Sequence, residues 1–225
     1  MGFLSRSWAI AQKDIIAELR ARETVFSMLL FGFLVILIFN FGIEPGLREE
    51  NLVKPGVLWA AFIFAGILGL NRSFASEKEN DCLQGLLLCP VDRAVIYLGK
   101  LLGNVVFTFI MGIVVFVFFS VLYNVDIIAT FLPIGLILLL TTIGFSAVGT
   151  LFSAVSVGIK ARDVILSILL FPVMVPVVLA AAKSSASVLD GGGLSGGGLW
   201  LVLLVVYDVI FLAVSVMVFD YAVEE

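Results

Sequence analysis

An all-α, polytopic membrane protein of six transmembrane helices is the fold class predicted here, with an amphipathic helix before the first span and a short cytoplasmic helix between spans two and three. Three observations predict it. Of the 225 residues, 62% are hydrophobic and only 13% charged, and the mean hydropathy of +1.21 lies far above that of soluble domains. The apolar residues fall in charge-free runs of the length that crosses a bilayer, about 20 residues each. The basic residues collect in alternate connections between those runs, as the positive-inside rule requires.

The N-terminal segment, 1–23, places Leu4, Trp8, Ala11, Ile15 and Leu19 on one helical face, with Arg6, Lys13, Glu18 and Arg20 largely elsewhere. That pattern suits a helix lying in the cytoplasmic headgroup region; the alternative is a plain extension of span one. It does not read as a cleaved signal peptide, because charges recur through Arg22 and the apolar run that follows is too long for one. Span one covers 24–43. Span two, 57–74, is the shortest: its unbroken apolar run ends at Leu70, and Asn71 and Arg72 must snorkel to one face. Span three is 101–123. Span four, 131–156, lies inside a 33-residue uncharged stretch, 127–159, too long for one upright helix. Span five is 164–182, and span six, 199–219, is interrupted only by Asp208. Residues 1–225 read as a single transmembrane domain.

Of the 13 basic residues, ten fall before span one, between spans two and three, or between spans four and five. The remaining three, Arg48, Lys54 and Lys183, fall on the other side. Both termini are therefore expected in the cytoplasm.

Several features bear on function by what they fail to support. The sequence has no histidine, so it offers no His-based general base, no H-E-x-x-H and no histidine ligand for haem; G-x-S-x-G is also absent. Cys82 and Cys89 are its only cysteines. In a helix they would sit roughly 10 Å apart along the axis, too far to bridge, and they fall on the reducing side. They read as small buried hydrophobes, and no metal site is expected. "GGGLSGGGL", 191–199, contains the Leu-Ser-Gly-Gly of ABC ATPase signatures, but no P-loop accompanies it and it falls on the non-cytoplasmic side, so it reads as a flexible linker. Trp8, Trp59 and Trp200 are isolated and read as interfacial anchors.

Asp208 is the one ionisable residue near the middle of a span, where a charge costs on the order of 2.5–3.5 kcal/mol on insertion scales. It must face protein, water or a partner subunit, either lining a pathway or making a helix-packing contact. Thr141 and Thr142, at similar depth in span four, are the expected hydrogen-bond donors. Pro172 and Pro176 each remove a helix hydrogen bond, so span five is expected to be kinked or broken.

Among these apolar runs the charged stretch "EKENDCLQGLLLCPVDR", 77–93, stands apart. Asn80 or Asp81 can cap a short helix over 82–88 in which Leu83, Leu86 and Leu87 form one apolar face; Pro90 ends it, and Asp92 can cap the helix of span three. Too short to span and too apolar to be merely solvated, the element should bury its leucines. The acids before it argue against an anionic lipid surface and for a partner protein.

The run "NRSFASEKENDCLQGLLLCPVDRAVIYLGKLLGN", 71–104, resembles the E-x-E-x-G-x-L-x-x-L-L-x-x-P-V-x-R-x-x-I-x-x-G-K pattern of ABC-2 type permeases. Glu77 and Glu79 match its acids, Leu83 its leucine, and Pro90, Val91, Arg93, Ile96, Gly99 and Lys100 its tail. Cys82 stands where that pattern often has a small residue. With "KDIIAELRARE" (13–23), "PGVLWAAFIFAGILGLNRSFASEKEN" (55–80), "TIGFSAVGTLFSAV" (142–155), "ILLFPVMVPVVLAA" (168–181) and "YDVIFLAVSVMVFDYAVEE" (207–225), the chain is similar over nearly its whole length to the haem exporter protein B family, CcmB. The "GGGLSGGG" loop is the least family-like region.

The resemblance implies a non-catalytic permease subunit in the cell inner membrane, working with a separate ATPase subunit, CcmA, with CcmC and CcmD, and with the haem chaperone CcmE. ATP hydrolysis on the partner would drive haem export or release of the loaded chaperone for cytochrome c maturation, with ATP and haem bound on partner proteins and no cofactor on this chain. The 77–93 stretch becomes a coupling element, with Glu77, Glu79, Asp81, Leu83, Leu86, Leu87, Pro90 and Arg93 as its contact residues. Six spans make half a transporter, so a second copy is expected, with spans one, two and five shifting as the ATPase dimer closes. The competing expectations are an ABC-2 permease for a drug, lipid or glycan precursor, and a carboxylate-based intramembrane enzyme built on Asp208.

Overall fold

The computed structural model describes residues 3–43, 53–79, 92–156 and 162–222. These form α1 (Phe3–Arg20), α2 (Arg22–Gly42), α3 (Val53–Glu79), α4 (Arg93–Leu122), α5 (Ile127–Ser156), α6 (Arg162–Leu189), the single turn α7 (Gly193–Gly196) and α8 (Gly198–Ala222). Six of them, α2 to α6 and α8, are long and apolar enough to cross a membrane.

Capping sets several helix ends. The Asp92 carboxylate accepts from the Ala94 amide at 3.1 Å and starts α4, as its position before the apolar run leads one to expect. Asp126 accepts from the Ile128 and Ala129 amides at 2.9 and 3.3 Å and starts α5. From there α5 runs unbroken to Ser156, through Pro133. Likewise α6 continues through Pro172 and Pro176. Of the kink or break expected at Pro172 and Pro176, the break does not occur; neighbouring helices re-satisfy backbone groups that a proline frees.

α3 is the central helix. Two thirds of its apolar window is buried (67%), against 17% for α2 at the edge of the bundle. α2 buries only Thr24, Met28, Gly32, Ile36 and Asn40, a row spaced by four; Phe26, Leu30, Leu34, Ile38 and Phe41 face outward. So narrow a stripe, opposite a wide apolar surface, is what a lipid-facing helix shows.

Glycines make the central contacts. A Cβ at Gly66 of α3 would lie 2.8 Å from the Phe145 ring of α5. One at Gly112 of α4 would lie 2.9 Å from both Phe62 and Leu138, and one at Gly149 of α5 would lie 2.5 Å from Leu70. Each large side chain thus fills a hole left by a missing one, and Phe62 and Phe145 meet edge to face at 5.9 Å. Lipid tails are as apolar as leucine, so this close packing, not a hydrophobic drive, holds the helices together.

Trp59 corrects one expectation. It is fully buried and not an interfacial anchor, because its indole N–H donates to the Ser185 hydroxyl of α6 at 3.0 Å and the whole ring can leave water. Trp8 is exposed and Trp200 half-buried. Trp59→Phe should remove this α3–α6 link at a cost of about 0.6–2 kcal/mol, read as a lower unfolding temperature of the detergent-solubilised protein. A melting temperature equal to wild type would mean the bond contributes nothing.

Candidate functional site

Two regions carry the residues singled out by sequence: the membrane-surface end from which α3 leaves and α4 returns, and the buried acid of α8.

At the first, α3 does not stop where its apolar run stops. It continues from Leu70 to Glu79, roughly 13 Å further at the usual helical rise, so the backbone carrying Glu77 and Glu79 projects beyond the apolar span. Residues 80–91 lie outside the described residues, and with them Asp81, Leu83, Leu86, Leu87, Pro90 and both cysteines. Arg93 is half-buried in the first turn of α4.

α1 packs lengthwise against this start of α4, and in the same direction. A Cβ on Gly99 would meet Ile10 Cβ at 2.7 Å and the Ser7 carbonyl at 2.9 Å; one on Gly103 would meet Asp14 Cβ at 3.2 Å. Four residues along α1 therefore match four along α4. "GKLLG", 99–103, is a G-x-x-x-G run that lets the two backbones approach, a spacing visible in the sequence itself. The face expected to lie in the headgroups is consequently divided: Ala11 is buried against α4 and Ile15 is half-buried, while Trp8 points outward.

Below that contact, polar side chains join three helices. The Tyr97 hydroxyl of α4 and the Ser215 hydroxyl of α8 both donate to the Ala147 carbonyl of α5, at 3.2 and 3.4 Å. Asn104 donates its side-chain amide to the Thr150 hydroxyl at 2.9 Å. All of these side chains are buried. Nothing in the sequence pairs Asn104 with Thr150, since residues so far apart in a chain carry no shared periodicity.

Asp208 is 5% exposed. It sits against Gly144 of α5, where a Cβ would lie 2.6 Å from its Oδ1 and 3.1 Å from the neighbouring Tyr207 ring. Tyr207 reaches past to α6 and donates to the Val173 carbonyl at 3.1 Å. The expected donors do not serve Asp208: the Thr141 and Thr142 hydroxyls donate to the Ile137 and Leu138 carbonyls of their own helix, at 2.8 and 2.7 Å. A threonine inside a helix has an acceptor four residues back always within reach. Among the described residues neither Asp208 oxygen is hydrogen-bonded.

Among the described residues no three His, Cys, Asp or Glu side chains come together as a metal-binding group. The arrangement is a set of helices locked by small residues, with the last turns of α3, to Glu79, projecting at one end.

Comparison with known proteins places the chain. The model of the CcmB protein family matches residues 5–225. The chain belongs to the CcmB family. It is similar to heme exporter protein B of Pseudomonas aeruginosa, with 28% identity over 174 residues covering 77% of each chain. The protein of the same name from Haemophilus influenzae is 26% identical over 186 residues, covering 83% of this chain and 82% of its own. That of Rhodobacter capsulatus is 27% identical over 175 residues, covering 78% and 80%. The CcmB match takes in all six spans, α8 and its Asp208 included.

Proposed function

We propose that this chain is the permease subunit of an ABC transporter for haem export in cytochrome c biogenesis, a single 1–225 transmembrane domain that catalyses nothing itself. The observation that carries this is the CcmB family match over residues 5–225, on a chain with six membrane-spanning helices. The relatives are named heme exporter protein B. ATP is hydrolysed on a separate CcmA-like ATPase; CcmC-like and CcmD-like proteins and a haem chaperone like CcmE complete the assembly, with two copies of the chain, in the inner membrane.

The 77–93 stretch docks on the ATPase. Leu83, Leu86 and Leu87 enter its groove, Glu77, Glu79 and Asp81 meet its basic rim, and Pro90 and Arg93 set the return into α4. Supporting this are the helical projection of α3 to Glu79 and the Asp92 cap that gives α4 a firm start. Displacement of the element pushes both helices along their axes, and α1, bound to α4 through Gly99 and Gly103, moves with them. Exposed Trp8 and Ile16 give α1 an apolar outer face beside the start of α4, with both termini cytoplasmic.

In this mechanism Asp208 packs against Gly144 and does no charge chemistry, since no cation pairs with it among the described residues. Asp208→Asn, of the same shape, should keep cytochrome c maturation within about twofold of wild type, a ratio below 0.5 kcal/mol, whereas a tenfold loss would assign the carboxyl a role in transport.

Deleting the gene and staining membranes for covalently bound haem tests the function. Loss of c-type cytochromes, restored by this gene and not by a general exporter permease, is expected. Unchanged cytochromes would refute it.

A further inference from the structure

On the outer side of the bundle a cleft of about 310 Å³ runs between α3 and α6, with an almost wholly apolar lining that includes Trp59, Ile63 and Phe64 on α3 and Phe171, Val175 and Leu179 on α6. Its inner end is shut by aromatic rings: Phe64 meets Phe171 edge to face at 5.8 Å and Phe31 of α2 at 6.1 Å. Its back wall, Trp59, is fixed by the bond to Ser185. Gly56, one turn before Ala60 on α3, has nothing within 4 Å of where a Cβ would stand.

Size and charge select the occupant. Phe171, Val175 and Leu179 are spaced by four, and Lys183 is the next residue of that row. From Phe171 to Leu179 the helix rises roughly 12 Å, the depth of about one leaflet of a ~30 Å hydrocarbon core. An apolar cleft of about 310 Å³ over that length takes a single hydrocarbon chain. Lys183, half-buried, makes no ion pair among the described residues, and stands one turn beyond the last apolar wall residue. There its ammonium can reach the headgroup level along its own stem.

We propose that this cleft is a binding site for an anionic phospholipid of the leaflet opposite the termini. One acyl chain lies between α3 and α6, its end against the Phe64–Phe171 pair, and the phosphate rests on Lys183. The bound chain completes the packing between the central helix and the one carrying Pro172 and Pro176.

The test is native mass spectrometry of the full-length protein, with its co-purifying subunits, titrated in mild detergent with phosphatidylglycerol or phosphatidylcholine. Wild type should retain phosphatidylglycerol with a roughly fivefold preference, the size expected of one lysine beside an anionic headgroup. Lys183→Gln should abolish the preference while still retaining lipid. Val175→Trp, which fills the cleft from an outward-facing position and so is tolerated by the fold, should lose both lipids. Lys54→Gln, at the same membrane end but off the cleft row, should behave as wild type. Equal retention of the two lipids by wild type, needing no variant, would overturn the proposal. So would unchanged retention by Val175→Trp, or a fall in dimer content in that variant without loss of lipid, which would give the cleft to a second copy.

Discussion

Leu83→Asp combined with Leu86→Asp should abolish recovery of the ATPase subunit with this protein, and with it cytochrome c maturation, while leaving the permease in the membrane at wild-type amount. Both leucines belong to the apolar face of Leu83, Leu86 and Leu87 expected in the 77–93 stretch, and each fully buried leucine is worth about 1.5–3 kcal/mol over exposure. Two carboxylates in the same groove would add a desolvation cost without partners. An interface held by a short helix does not survive such a loss, since every 1.4 kcal/mol is tenfold in affinity. The spans are untouched, so insertion should be normal. Glu77→Gln with Glu79→Gln should act more weakly, because rim charges set the rate of encounter more than the stability of the complex. Recovery of the ATPase from detergent-solubilised membranes, measured against permease amount, separates the two variants. Full recovery in the double aspartate variant would remove 77–93 from the interface.

The second large effect is expected at Gly99. A valine there places Cβ where Ile10 and the Ser7 carbonyl stand, at 2.7 and 2.9 Å, and backbone cannot yield as a side-chain end can. α1 should separate from α4 at a cost of about 1–3 kcal/mol, visible as a lowered unfolding temperature and as reduced maturation even where the ATPase still binds. Gly103→Ala should be milder, its nearest neighbours being at 3.2 and 3.6 Å. Gly135→Ala in α5, with nothing within 4 Å, should be neutral or stabilise by up to about 1 kcal/mol through helix propensity. If Gly99→Val melts like Gly135→Ala, α1 is not held by this contact.

Where the apolar runs lie was legible in the sequence because length and charge alone decide whether a helix can cross a membrane. Which face of each helix meets which neighbour was not. α5 and α8 are apolar on every side, so periodicity carries no direction there, and the partner of Asp208 could not be deduced: the threonines at its depth bond their own helix, and its actual neighbour is Gly144, a residue without a side chain to announce it. Trp59 misled for a related reason. A lone tryptophan near a helix end resembles an anchor until the serine that satisfies its N–H, 126 residues away in the chain, is brought beside it. The α1–α4 contact lay between these cases, since Gly99 and Gly103 stand at the spacing of close helix packing, yet nothing in the chain says which helix they admit.

The most direct measurement of the central claim is to tag the C-terminus, solubilise native membranes gently and identify what is recovered with the protein. The account predicts an ABC ATPase together with CcmC-like and CcmE-like proteins, all lost when Leu83 and Leu86 are changed to aspartate except those that bind the spans directly. Recovery of the protein with no ATPase, under conditions that preserve a known permease–ATPase complex, would contradict it.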